Sequence, residues 1–166
     1  MTSPRLLGYQ TRYHDLERDV LLMGLDEVAA PYAPPAIERR QFVCLCAMDA
    51  RSVTNGDLRH FCSRLLRLGC AYLCAWGPDC ERVHDIMDEI VIGDNPPDSY
   101  VGCVMTTWHA DWSLRATLDF FLFNTYPDKD YAPGGCQTAL AISIGSEEWA
   151  TAIEKYLLKK LGPSAK

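Results

Sequence analysis

No apolar run in the chain approaches the ~20 residues that a membrane-spanning helix needs. The opening stretch, Met1-Thr-Ser-Pro-Arg-Leu-Leu-Gly, lacks the long apolar core of a secretion signal, so a cytoplasmic location is expected. Basic residues are in short supply: 16 Lys and Arg stand against 22 Asp and Glu, a formal net charge of −6. A nucleic-acid binder needs a basic face for the phosphates, so that class is not expected. An acidic surface suits solubility or a basic protein partner. Three nucleotide and acyl-transfer signatures are also missing: G-x-x-x-x-G-K-[ST], G-x-G-x-x-G after a strand, and G-x-S-x-G. A phosphorylated receiver domain would need an acidic cluster where Asp49 stands alone, and an aspartate where Thr106 and Thr107 stand.

What is present is a strand–helix alternation. Residues 42–48, 70–76, 101–107 and 138–144 are short apolar runs with β-branched members, bounded by turn residues, as in strands covered on both faces. Between them lie helical periodicities. Leu58, Phe61, Cys62, Leu65 and Leu66 follow a Thr54 or Asn55 cap, and Gly69 closes that helix. Val83, Ile86, Met87 and Ile90 form the next apolar face. Leu114, Leu118, Phe121, Leu122 and Thr125 form a third, capped by Asp111 or Ser113 and stopped by Pro127. Trp149, Ile153, Tyr156 and Leu157 follow a Ser146 cap, with Glu147 and Glu148 in the first turn. The pattern predicts an α/β domain over 41–166 with three α/β/α layers and a mainly parallel four-stranded sheet in the flavodoxin-like order 2-1-3-4. Residues 1–40 read as an N-terminal arm, with a short helix near 15–28 carried by Leu16, Val20, Leu21 and Leu25, then a linker at Pro31, Pro34 and Pro35.

In that order the strands at 42–48 and 101–107 are neighbours, and their carboxyl ends bound the crevice where open α/β sheets bind ligands. The candidate ligand-binding residues are therefore Asp49, Arg51, Thr106, Thr107, Trp108, His109 and Asp111. Together they offer a carboxylate, a guanidinium, hydroxyls, an imidazole and an aromatic wall. The purely structural alternative has Asp49 capping a turn, His109 solvated and Trp108 at the edge of the core.

The eight cysteines are Cys44, Cys46, Cys62, Cys70, Cys74, Cys80, Cys103 and Cys136. Most lie in apolar runs, where a free cysteine behaves as a small buried hydrophobe, and a disulfide framework is not expected. Cys80 opens a helix, which can activate a thiol, so it is the one candidate nucleophile, with His84 a turn on and His109 at the next strand end. Cys44 and Cys46 share a strand face, as Cys70 and Cys74 would. Their spacing is not the paired C-x-x-C of zinc sites, so no metal and no cofactor are expected.

Trp108-His-Ala-Asp-Trp-Ser-Leu-Arg-Ala-Thr-Leu-Asp-Phe-Phe-Leu122, followed by Tyr126-Pro127, resembles the signature of a small bacterial α/β family with no assigned function. The resemblance runs from Phe42 to the last helix and implies the fold but no chemistry. Two classes of function stay open. One is a non-enzymatic interaction or regulatory module of a bacterium, such as an immunity or defence accessory that covers a basic partner. The other is a small-ligand binder or hydrolase using the crevice. The second requires Asp49, His109 and Asp111 to converge. The first requires them to scatter over a surface with an acidic or apolar patch.

Overall fold

A computed structural model of the chain describes residues 7–13, 16–30, 41–93, 104–130, 132 and 136–162. The linker prolines, the loop at 94–98, Val101 to Cys103 and Gly134-Gly135 lie outside the described residues. Among the described residues the sheet has six strands: β1 (Leu7–Tyr13), β2 (Leu16–Leu25), β3 (Phe42–Met48), β4 (Cys70–Trp76), β5 (Met105–Trp108) and β6 (Thr138–Ile144). Their spatial order is β1-β2-β6-β3-β4-β5. β1 is antiparallel to β2, and the other five strands are mutually parallel. Among the same residues four helices cover the sheet: α1 (Asn55–Leu68), α2 (Cys80–Ile92), α3 (Leu114–Asn124) and α4 (Glu147–Leu161).

The three-layer α/β/α architecture follows from how the strand residues divide. On β3, Phe42, Cys44, Cys46 and Met48 pack with the apolar faces of α1 and α2, while Val43, Leu45 and Ala47 pack under α3 and α4. The helix caps fall at the expected residues. The Thr54 hydroxyl accepts from the Asp57 amide, Ser113 from Ala116, and Ser146 from Trp149. Gly69 closes α1 in the left-handed region at φ 100°. On α4 only Ile153 and Leu157 are buried, and Trp149 and Tyr156 are half-buried.

Three expectations are corrected. First, residues 16–25 are a strand, not a helix. Val20 and Leu22 face α3 and α4, while Met23 and Leu25 face α1 and α2, so apolar residues occupy both faces of an interior strand. The helical spacing of Leu16, Val20, Leu21 and Leu25 is a coincidence of that near-continuous run. Second, the sheet has six strands, and its order is not flavodoxin-like. The strand at 138–144 lies beside 42–48, and the strand nearest 101–107 is at the edge. Right-handed crossovers that step in one direction place their helices on one face, and α1 and α2 do share a face. The chain therefore steps β3, β4, β5 and only then reverses, so the switch point lies between β3 and β6. Third, Cys70 and Cys74 do not share a face. A register irregularity at the start of the β3–β4 ladder leaves Cys70 with Leu73 and Ala75 under α1 and α2, and Cys74 on the other side.

A buried arginine, unforeseen in the sequence, ties the new strand to the helices. Arg18 on β2 is 1% exposed, and its guanidinium donates to the Cys136 carbonyl (2.8 Å), the Thr125 carbonyl (3.0 Å) and the Thr125 hydroxyl (3.4 Å). It also lies 4.3 Å from the centre of the Tyr126 ring. A cation against the carboxyl-terminal carbonyl of α3 is well placed for the helix dipole.

Candidate functional site

Because β4 lies between β3 and β5, the expected crevice does not form. Asp49 and Arg51 leave the end of β3, about 10 Å, or two strand spacings, from β5. The intervening turn packs closely on the end of β3. Gly77 has φ 114°, and a Cβ there would meet the Met48 carbonyl oxygen at 2.3 Å.

Asp49 and Arg51 pair with each other. Arg51 Nε donates to Oδ1 at 2.9 Å and its terminal nitrogen to Oδ2 at 2.6 Å. Both side chains are exposed. The Arg51 hydrogen bonds hold the Asp49 carboxyl below its ordinary range, and Asp49 raises Arg51 in turn. At the true switch point the polar groups of β6 and α4 are also spent locally: Ser143 donates to the Ser146 carbonyl, and the Ser146 hydroxyl caps α4.

On the β5 side, Thr106 Oγ1 donates to Asp88 Oδ1 at 2.7 Å. Trp108 is 45% exposed and packs at a tilt against His84, with ring centres 4.4 Å apart. His84 in turn lies 3.0 Å from an Asp85 oxygen and 3.4 Å from an Asp88 oxygen. His109 is buried, not solvated, at 5% exposure. Its ring packs against Trp112 (4.5 Å) and Phe120 (4.7 Å), and its Nε2 sits 3.2 Å from the Thr107 hydroxyl. Burial depresses its pKa. Asp111 is exposed on the turn that follows. The seven candidates thus fall into an Asp49–Arg51 pair, a Thr107–His109 contact, a Thr106–Trp108 surface on the other face of β5, and a separate Asp111.

Cys80 does open α2, and it is buried at 1% exposure. Desolvation raises its thiol pKa, and backbone amides of His109, Cys80 and Gly77 offset this only in part. That environment favours the unreactive thiol at neutral pH. The seven described cysteines are free and buried, and Cys103 lies outside the described residues. Among the described residues no three His, Cys, Asp or Glu side chains are grouped to hold a metal ion. Nor is any helix among them long and apolar enough to cross a membrane.

Several residues that shape this region were not anticipated. Arg82 braces the ends of β3 and α1. It donates to Asp79 Oδ2 (2.8 Å), Asn55 Oδ1 (2.7 Å), the Val53 carbonyl (3.0 Å) and the Ala50 carbonyl. Its spacing of three from Asp79 was the one legible signal, since such pairs meet on a helix. Asp85, Asp88, Glu89, Ile92 and Gly93 line an open groove along α2, and Ile92 is 82% exposed. Met105 and Trp112 are exposed as well, so large apolar side chains border β5 on both faces.

Residues 25–160 match the family model described as a domain of unknown function (DUF7684). No curated protein and no solved structure matches the chain.

Proposed function

Since the chain belongs to this family of domains of unknown function, its role has to be read from its own surface, and we propose that it is a protein-interaction module that docks a basic partner at β5 and α2. The observation that carries this reading is the scatter of the polar candidates beside the gathering of exposed apolar ones. Asp49, His109 and Asp111 do not converge on a pocket, and Asp49 and His109 are each engaged in local contacts. Trp108, Met105, Trp112 and Ile92 instead lie exposed around one sheet edge. Solvated tryptophan and isoleucine side chains, beside carboxylates, are the composition of a binding surface rather than of a catalytic pocket. Acidic Asp85 and Asp88 give such a surface its preference for a cationic partner and would speed encounter through long-range attraction. A regulatory or immunity-type protein that covers a basic effector would have this form.

The test is capture from the native host with the tagged full chain, followed by native mass spectrometry, in parallel with a Trp108→Ala/Ile92→Ser variant. Both side chains are exposed, so the variant should keep the parent's thermal midpoint to within a few degrees. The expected result is a stoichiometric protein partner that the variant loses by about tenfold or more, as loss of an exposed aromatic anchor would cause. Equal capture by the variant would remove the docking face. A bound small molecule without any protein partner would overturn the class.

A further inference from the structure

Among the described residues β5 is the outermost strand of its side of the sheet, and its backbone has a definite outward face. The His109 amide donates to the Ala75 carbonyl at 3.0 Å. Backbone groups alternate along a strand. Thr107 and Met105 therefore face β4 together with His109, and Thr106 and Trp108 turn their N–H and C=O groups outward. Among the described residues no strand pairs with that side. Sheet edges are usually blunted by lysine, proline, a bulge or a covering element. The sequence of β5, Met-Thr-Thr-Trp, has neither proline nor lysine.

The rims of this edge differ. On the α2 side stand the Trp108 ring and the stripe of Glu81, Asp85, Asp88 and Ile92, residues spaced by three and four along the helix. Asp85 is 61% exposed and Asp88 38%. On the α3 side stand exposed Met105 and Trp112, the latter packed on His109 and Phe120.

We infer that the β5 edge accepts an extended segment of the partner as an added strand, with lysine or arginine on the side facing α2 and apolar residues on the side facing α3. The inference rests on the docking face proposed above and specifies how it is used. An added strand pairs its main chain with Thr106 and Trp108 and sends alternate side chains to the two faces. Those on the α2 face meet Asp85 and Asp88, and those on the α3 face meet Met105 and Trp112. A helical segment has its backbone groups already paired and would leave those of Thr106 and Trp108 unmet. An acidic segment would set its carboxylates against Asp85 and Asp88.

The test uses the isotopically labelled full chain and three synthetic peptides: one alternating lysine and valine, one alternating glutamate and valine, and a basic amphipathic helix. Amide hydrogen exchange is read at Thr106 and Trp108. The lysine–valine peptide is expected to bind, to slow exchange at both amides by about tenfold or more, and to bind more weakly as salt screens the carboxylates. The other two peptides should do neither. Thr106→Pro removes the outward amide without touching the ladder to β4, a change that edge strands tolerate. Because it also removes the hydroxyl that donates to Asp88, it is compared with Thr106→Val, which lacks the hydroxyl alone. Relative to Thr106→Val, Thr106→Pro should weaken the lysine–valine peptide by about tenfold, the scale of one lost main-chain bond. If that variant unfolds, the exchange measurement on the parent chain still decides. No binding of the lysine–valine peptide, binding that leaves both amides unprotected, or equal binding of either control would overturn the inference. A native partner lost in Trp108→Ala/Ile92→Ser, with Thr106 and Trp108 unprotected in that complex, would leave the docking face standing and remove strand addition alone.

Discussion

His109 shows how position in the sequence misleads about environment. It follows a strand and opens a turn, where a polar side chain usually meets solvent, but Trp112, three residues on, and Phe120 on α3 close over it. A histidine enclosed by two aromatic rings contributes as a core residue, and His109→Ala should cost about 2–3 kcal/mol, near the lower end of large-to-small core changes. Urea titration measures this directly, and a midpoint equal to the parent's would show that the ring is not part of the core. The same burial predicts a pH dependence. The folded pKa lies below the ordinary 6.5, so over the interval between the two values the unfolded chain binds more protons than the folded one. Stability should therefore rise with pH through that interval. Put the other way, the loss begins as pH falls through about 6.5 and is complete below the folded value. His109→Phe, which keeps an aromatic ring and cannot titrate, should flatten this part of the profile relative to the parent.

At the scale of elements, β2 tests the fold most sharply. It is paired on both sides, with Val20 opposite Tyr9 of β1 and Ala139 of β6. Proline at Val20 would remove an amide from a ladder and introduce a ring that an interior strand does not accommodate. Val20→Pro should abolish the cooperative unfolding transition in circular dichroism. A well-folded variant would return these residues to a dispensable arm. The contrast with what was legible is physical. Strands β3, β4 and β6 and helices α1 to α4 announced themselves through turn residues and caps such as Thr54, Gly69, Ser113 and Ser146. β2 has apolar residues on both faces and no strict alternation, and such a run has no period that separates strand from helix. Strand order was hidden for another reason. It depends on which face each helix takes, and an apolar stripe such as Val83, Ile86, Met87 and Ile90 is the same on either face. The candidate site inherited that ambiguity. Asp49, Thr106 and His109 are all at or near strand ends as read, and only the interposition of β4 separates them. The buried Arg18 was invisible because its acceptors, at Thr125 and Cys136, are more than a hundred residues away in the chain.

For the molecule as a whole, the placement of charge matters more than its sum. The excess of acidic residues is six over the chain. It is not evenly spread. Glu81, Asp85 and Asp88 follow one stripe of α2 next to the β5 edge, and Glu147 and Glu148 occupy the first turn of α4, the helix end that would otherwise attract an anion. Four of the 16 basic residues are held in ion pairs within the chain: Arg51 with Asp49, Arg59 with Glu89, Arg82 with Asp79, and Lys160 with Asp119. On the proposed docking face, exposed Asp85 and Asp88 would repel a polyanion at the apolar edge. Nucleic-acid affinity is dominated by phosphate neutralisation and is greatest at low salt. The protein should therefore leave a short DNA duplex unshifted in a gel even at low salt. A salt-sensitive shift would show that enough lysines and arginines are free to neutralise phosphates, and the assignment of a cationic partner to the α2 stripe would fall with it.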